Sequence, residues 1–227
     1  MYTQKPFFGT LREQKCKPKY FALALLLQIG LFSLSQLNGW FLEWLENFGY
    51  TSPDIPLPNM DGWGFVGVFF VVAVLAATLE EIIFRGIILN GLKDLSTPIA
   101  ALICGGLFAL YHQNPAQTLY QFVCGTAFAF VALRAGSILP TILSHFLNNA
   151  VILILVKYGL DEFTPTVNII VLCVSAVCLL GAIIWLVLDR EKQTVKKDKN
   201  VKVFFQTASV GIALCALTWL LTLFLGM

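Results

Sequence analysis

Apolar segments about as long as a bilayer is thick are the feature of this chain that most restricts its fold. Seven such segments are recognised by length, at residues 20–42, 63–90, 97–113, 116–134, 137–157, 165–188 and 203–226. A transmembrane helix needs roughly 20 mostly apolar residues, and in a bilayer every backbone polar group must be satisfied within a helix or a closed barrel. Because the segments lack the apolar–polar alternation of barrel strands, the sequence predicts an all-α, polytopic membrane bundle of about seven transmembrane helices.

The composition also indicates a membrane protein. Hydrophobic residues make up 58% of the 227 residues and charged residues only 12%, whereas soluble domains carry about 25% charged residues. The six cysteines form no CxxC pair, and five of them lie within apolar segments. Cysteine behaves there as a small apolar residue, so neither a disulfide framework nor a thiolate metal site is expected. No internal repeat is visible, which argues against a carrier built from two paired halves.

Basic residues are concentrated on alternate loops. Residues 1–19 carry five Lys or Arg and the linker 189–202 carries six, whereas the acidic loop 43–61 carries none. Alternating sides through seven spans places 13 of the 15 basic residues on or near one face. By the positive-inside rule we expect a multi-pass protein of the cell membrane with a cytoplasmic N-terminus. Because the first apolar segment is longer than the apolar region of a signal peptide, we expect an uncleaved first span.

Ionisable and amide side chains interrupt three of the apolar segments. They are Glu80, Glu81 and Arg85 in the second segment, His112 in the third, and His145, Asn148 and Asn149 in the fifth. Such residues are costly in hydrocarbon and commonly mark functional sites. At a rise of 1.5 Å per residue, Glu80, His112, His145 and Asn149 lie about 12 to 22 Å from the basic-side ends of their helices. We therefore expect three helices to bring these four side chains to one level near the middle of the bilayer.

Helical spacing separates the two glutamates. Glu81 and Arg85 are four residues apart, share one face of a helix and can pair, so we interpret them as a structural clamp. Glu80 points about 100° away and has no cation nearby in the sequence, which leaves it available for chemistry. His145 and Asn149 project together from the fifth segment by the same i, i+4 rule.

These groups suit the hydrolysis of an amide by an activated water. A carboxylate with a histidine can hold a water and accept its proton. A second histidine with an amide can donate hydrogen bonds to a developing oxyanion. Three other interpretations stay open: histidines that only pack, an amide that only joins two helices, and a proton relay in a transporter.

Three short motifs in these segments resemble those of one known family. Glu80 to Arg85 resembles EExxxR, Phe108 to His112 resembles FxxxH, and His145 to Asn149 resembles HxxxN. In this order on predicted membrane helices, they are similar to the motifs of the CPBP family. That family groups type II CAAX prenyl endopeptidases with bacteriocin-processing and Abi-type proteins. The resemblance implies an all-α membrane bundle with a cavity open to the cytoplasm.

The resemblance implies roles for individual residues. Glu80 with His112 would activate the water, and His145 with Asn149 would form the oxyanion hole. Members of the family are often called metalloproteases, and Glu80, His112 and His145 would also make a His₂Glu zinc set. We favour a site without a cofactor, with zinc as the alternative.

The resemblance also divides the chain and indicates its partners. We expect a basic cytoplasmic N-terminus, first span and external loop at 1–62, a catalytic helix core at 63–156, and two accessory spans with a basic cytoplasmic linker at 157–227. The expected partners are the lipid bilayer and a membrane-tethered peptide or protein substrate, and no nucleic acid. The substrate classes implied are a CAAX-type tail and the leader of a bacteriocin or signalling peptide. The alternative function is a non-catalytic membrane immunity or regulatory partner of a sensor kinase or receptor.

Overall fold

A computed structural model describes residues 16–52, 60–92, 94–160, 163–189 and 200–226. Within these residues the chain is helical and contains no strand. The helices, in chain order, are α1 (Lys19–Leu31), α2 (Leu34–Glu46), α3 (Gly62–Gly91), α4 (Thr97–Tyr111), α5 (Thr118–Ala135), α6 (Leu139–Lys157), α7 (Pro165–Leu188) and α8 (Asn200–Leu225). The predicted all-α membrane bundle is confirmed.

Fewer than seven of the described helices qualify by length and composition as membrane spans. Among the described residues, five helices are long and apolar enough to cross a bilayer, namely α3, α5, α6, α7 and α8, and the bent pair of α1 and α2 would make a sixth. Helix α4 has 15 residues, which is short for a full crossing. The predicted third segment, 97–113, is therefore a shorter apolar helix, and the count of seven is not confirmed.

The segment predicted as one span at 20–42 is two helices bent by 42°. The backbone N–H groups of Phe32 and Ser33 donate to carbonyls three residues back, on Ile29 and Gly30. The Ser33 hydroxyl also donates to the Gly30 carbonyl oxygen, at 2.7 Å. A tightened turn and a serine side chain bonded to the preceding turn both bend helices. The first predicted segment is therefore a helix pair that bends at Phe32–Ser33, and its crossing of the bilayer as one span stays a prediction.

Helix α3 contains two π-helical stretches. It is π-helical over Phe70–Ala76 and Ile82–Ile88, with an α-helical turn, Ala77–Glu81, between them. π-Helical turns are rare and are found frequently at functional sites. Glu80 and Glu81 close the α-helical turn, so the paired glutamates lie between the two wider stretches.

Helices α4 and α5 approach each other closely through glycine. A Cβ atom built on Gly105 would lie only 2.2 Å from the Thr126 Oγ1 atom, and one on Gly125 would lie 3.0 Å from the Gly105 Cα atom. Small residues allow membrane helices to pack at short range. This contact brings the Gly125 carbonyl within reach of α3.

The remaining helices surround this central unit. Helix α1 packs against α5 and α7 through the buried residues Tyr20, Leu23 and Leu27. Helices α7 and α8 expose most of their apolar side chains, as at Val177 and Val210, which is expected of helices that face lipid. The predicted N-terminal basic residues up to 15, and linker residues 190–199, lie outside the described residues.

Candidate active site

Three helices bring Glu80, His112 and His145 together. The Nε2 atoms of His112 and His145 each lie 3.8 Å from the Oε2 atom of Glu80. That oxygen is buried and has no hydrogen-bond partner among the described residues. The side chains of Glu80 and His112 are 16% and 19% exposed, and that of His145 is 8% exposed. The three groups thus form a nearly enclosed cluster from α3, α4 and α6.

The other ring nitrogen of each histidine is already engaged. The Nδ1 atom of His112 lies 2.8 Å from the Phe108 carbonyl oxygen, and that of His145 lies 3.0 Å from the Glu81 Oε1 atom. Both partners are acceptors, so each Nδ1 carries the hydrogen. In its neutral form each imidazole therefore presents a lone pair at Nε2 towards Glu80. Two lone pairs and a carboxylate oxygen converge on a space that requires a proton donor.

Glu81 and Arg85 form the ion pair that their spacing predicts. The Arg85 Nη1 atom donates to the Glu81 Oε1 atom at 2.8 Å, and its Nη2 atom donates to the Gly125 carbonyl oxygen at 2.9 Å. Both side chains are fully buried. The guanidinium lies over the rings of Phe108 and Phe128, at 4.6 and 5.5 Å from their centroids. Such desolvated cation–π contacts add to the pairing.

Glu81 has a second partner that the sequence did not predict. Its Oε1 atom also accepts from His145, so one carboxylate oxygen holds both Arg85 and a histidine of the cluster. Because Glu80 and Glu81 are adjacent, His145 lies between two carboxylates, with one at each ring nitrogen. Nothing in the local spacing of α3 indicates this contact, which depends on how α6 packs against α3.

Phe108 explains why the second motif begins with an aromatic residue. Its ring is 4.5 Å from that of His112, 5.9 Å from that of His145 and 5.0 Å from that of Phe84, centroid to centroid. The side chain is buried. Its ring therefore packs against both histidine rings and against the Arg85 guanidinium.

Asn149 lies apart from the Glu80 contacts. Its Nδ2 atom donates to the Val72 carbonyl oxygen at 3.0 Å, and its Oδ1 atom accepts from the Nδ2 atom of Asn148 at 3.3 Å. Among the described residues it makes no hydrogen bond to the cluster, although it is one helical turn from His145. On a helix, residues four apart have Cβ atoms roughly 5–6 Å apart.

A polar network behind Asn149 was missed by the sequence analysis. The Asn148 Oδ1 atom accepts from the Gln28 Nε2 atom at 2.8 Å and from the Tyr120 hydroxyl at 3.0 Å. Gln28 is 4% exposed. Its position as an isolated amide in an apolar segment was the available signal, whereas its partners follow only from the packing of α1, α5 and α6.

Glu80, His112 and His145 do not form a metal-binding set as they lie. Tetrahedral ligands at about 2.0–2.1 Å from zinc are about 3.3 Å from one another, whereas both Nε2–Oε2 distances here are 3.8 Å. Among the described residues, no three His, Cys, Asp or Glu side chains are arranged to hold a metal ion. The preference for a site without a cofactor stays a prediction.

The central region of the chain matches the model of one protein family. Residues 62–151 match the family described as Rce1-like, type II CAAX prenyl endopeptidase Rce1-like. No curated protein and no solved structure matches the chain. The matched region contains the three motifs, helices α3 to α5 and most of α6, and leaves α1, α2, α7 and α8 outside it.

Proposed function

We propose that this chain is an intramembrane peptide hydrolase of the CPBP family in which Glu80 is the group that activates water. Its residues 62–151 match the type II CAAX prenyl endopeptidase Rce1-like family. The observation that carries the proposal is the position of the Glu80 Oε2 atom. It is buried without a partner among the described residues and lies 3.8 Å from both imidazole Nε2 atoms.

We place a water molecule between these three atoms, because both Nε2–Oε2 distances are too long for a direct hydrogen bond. Donor–acceptor distances of about 2.8 Å suit O–H···N and O–H···O bonds, and one bridging water can satisfy polar atoms that are too far apart to bond directly. Its two hydrogens would meet the Glu80 carboxylate and one Nε2 lone pair. In this arrangement the water oxygen is held ready to attack.

The proposed reaction begins with the transfer of a water proton to Glu80, while His112 orients the water. The hydroxide oxygen bonds to the carbonyl carbon of the scissile amide, whose oxygen becomes an oxyanion. The carbonyl then reforms, the carbon–nitrogen bond breaks, and the leaving nitrogen takes the proton from Glu80. General base and acid steps of this kind contribute roughly 10²- to 10⁴-fold each.

The oxyanion would be stabilised by His145 and Asn149. For His145 to donate from Nε2 while its Nδ1–H remains on Glu81, the imidazole must carry both protons. Asn149 retains a second Nδ2 hydrogen, which has no partner among the described residues. Donors held in place before the reaction stabilise developing charge without reorganising.

The proposed substrate is a membrane-associated peptide or protein that is cut close to its anchor. It is a CAAX-type tail, or the leader of a bacteriocin or signalling peptide. The exposed apolar residues Leu79 and Ile83 flank Glu80 on α3 and are 54% and 40% exposed. This placement supports access to the cluster from the lipid side of α3, where a tethered substrate would lie.

The test compares cells that make equal amounts of wild-type protein, Glu80→Gln or Glu43→Gln. Glu43 is an exposed residue of α2, distant in sequence from the motifs, and serves as the matched control. Mass spectrometry of peptides and membrane proteins should reveal a precursor that accumulates only with Glu80→Gln. Identical profiles, with the biological phenotype intact, would refute the proposal and favour a non-catalytic immunity or regulatory partner.

A further inference from the structure

We infer that Asn148 is a positioning residue. Gln28 and Tyr120 hold its side chain, and Asn148 in turn fixes the amide of Asn149 in the orientation that an oxyanion donor needs. The inference rests on the proposed function and extends the site to α1 and to a residue outside the three motif positions. It concerns the neighbour of the motif asparagine, whose side chain makes no contact with the Glu80 cluster among the described residues.

The hydrogen bonds form one continuous chain across four helices. Gln28 on α1 and Tyr120 on α5 donate to the Asn148 Oδ1 atom, Asn148 donates to the Asn149 Oδ1 atom, and Asn149 donates to the Val72 carbonyl oxygen on α3. The donor–acceptor distances range from 2.8 to 3.3 Å. Each amide oxygen in the asparagine pair is therefore an acceptor, and each amide nitrogen a donor.

The direction of this chain is fixed at its end. A backbone carbonyl can only accept a hydrogen bond, so Asn149 must turn its Nδ2 group towards Val72 and its Oδ1 atom towards Asn148. Asn148 must then present its Nδ2 group to Asn149 and its Oδ1 atom to Gln28 and Tyr120. Two donors converge on that Oδ1 atom, and they oppose rotation of the Asn148 amide by 180°.

The network does not use the second hydrogen on the Asn149 Nδ2 atom. It has no partner among the described residues, and it lies one turn from His145 on α6. If the Asn149 amide rotated by 180°, its oxygen would replace this donor and would repel an oxyanion. Orientation of the amide therefore decides whether Asn149 assists or opposes the reaction.

A second hydrogen bond joins α1 and α6 beside the network. One turn before the Gln28–Asn148 bond, the Ser144 hydroxyl donates to the Ala24 carbonyl oxygen at 2.8 Å. Ala24 and Gln28 are four residues apart, as are Ser144 and Asn148, so two parallel bonds join the helices. A buried amide such as Gln28 is unfavourable unless it is hydrogen-bonded, so its contact with Asn148 also stabilises the helix pair.

Two roles for Asn148 give different kinetic results. If Asn148 only joined helices, its loss would lower stability and would add to the effect of Asn149→Ala. If it acts through Asn149, its loss lowers kcat with little change in KM, and has no further effect once Asn149 is alanine. Residues that act as a unit are non-additive in this way.

The experiment uses the full chain reconstituted in vesicles of phosphatidylcholine and phosphatidylglycerol, with an S-farnesylated CAAX peptide as the probe. Asn148→Asp is nearly isosteric and still accepts from Gln28 and Tyr120, but it presents an oxygen to Asn149. We expect Asn149→Ala to lower kcat by about 100-fold, Asn148→Asp to lower it by about 10- to 100-fold, and the double variant to match Asn149→Ala within about 2-fold.

Two further variants separate positioning from folding. Ser144→Ala removes the neighbouring bond between α1 and α6 without touching the network, and should keep kcat within about 2-fold. If Asn148→Asp fails to fold, Gln28→Leu combined with Tyr120→Phe removes both donors from the Asn148 oxygen. That pair should lower kcat in the wild-type background and leave it unchanged in the Asn149→Ala background.

Two outcomes would overturn the inference about Asn148 and leave the proposed function standing. One is a kcat for Asn148→Asp, or for the Gln28→Leu/Tyr120→Phe pair, within about 3-fold of wild type. The other is an equal loss in the presence and absence of Asn149. A wild-type protein that cleaves the probe no faster than Glu80→Gln instead overturns the proposed function, and the inference falls with it.

Discussion

Two adjacent carboxylates of α3 occupy opposite environments. Glu81 is fully buried, and its Oε1 atom is bonded by Arg85 and by His145. Glu80 is 16% exposed, and its Oε2 atom faces two imidazole nitrogens at 3.8 Å without a hydrogen bond among the described residues. A turn of about 100° per residue is enough to separate them. The comparison supports our proposal that Glu81 has a structural role and that the reactive carboxylate is Glu80.

The largest expected effect is the loss of stability when Arg85, the cation paired with Glu81, is removed. Arg85→Met leaves Glu81 buried with His145 as its remaining ionisable partner among the described residues, and removal of one member of a buried ion pair costs about 3–5 kcal/mol. That is a large part of the about 5–15 kcal/mol that holds a typical protein folded. We expect Arg85→Met to lose thermal stability in detergent by this amount, with activity lost as a consequence.

Arg85→Lys is the matched control for this prediction. It keeps the charge, but an ammonium cannot reproduce the planar arrangement that reaches both Glu81 and the Gly125 carbonyl. Its loss of stability should be smaller than that of Arg85→Met. An Arg85→Met protein as stable as wild type would show that the clamp is not structural.

Substitutions in the proposed reactive cluster around Glu80 should lower kcat and leave the stability of the protein unchanged. We expect His112→Gln to lower kcat by about 10²- to 10³-fold, because the water loses the group that orients it. The thermal midpoint should stay close to that of wild type, since the His112 side chain makes one hydrogen bond among the residues that the structure describes, to Phe108. Kinetics and thermal unfolding of the same preparation check both parts, and a destabilised, fully active variant would reverse the assignment.

The smallest expected effect is that of metal removal. The distances of 3.8 Å between the histidine nitrogens and Glu80 do not suit zinc ligands, so treatment with a strong chelator should leave the rate of cleavage unchanged. The check is the rate before and after chelation, followed by addition of zinc. Loss of activity that zinc restores would show that these residues rearrange into a His₂Glu set.

Part of the candidate site could be predicted from the spacing of residues along a single helix. Because residues four apart share a helix face, the Glu81–Arg85 pair could be predicted from the sequence and is confirmed. The prediction that Glu80, His112, His145 and Asn149 meet at one depth relied on three predicted spans, and the structure brings the first three side chains together. Their catalytic roles stay predictions.

Contacts between helices could not be predicted in the same way. The bond from His145 to Glu81, and the chain from Gln28 to Asn149, depend on which faces of α1, α3 and α6 meet. The π-helical stretches of α3 and the bend at Phe32–Ser33 depart from the 3.6-residue period on which the sequence analysis relied. Cytoplasmic orientation of the N-terminus likewise stays a prediction.

The central claim is that Glu80 performs chemistry and Glu81 supports the fold. Its most direct test is a side-by-side measurement of kcat and thermal midpoint for Glu80→Gln and Glu81→Gln in one reconstituted preparation. We predict that Glu80→Gln loses about 10³-fold or more in kcat and keeps its thermal midpoint, whereas Glu81→Gln lowers the midpoint. A Glu80→Gln protein that still cleaves at the wild-type rate, or two variants with the same profile, would contradict the account.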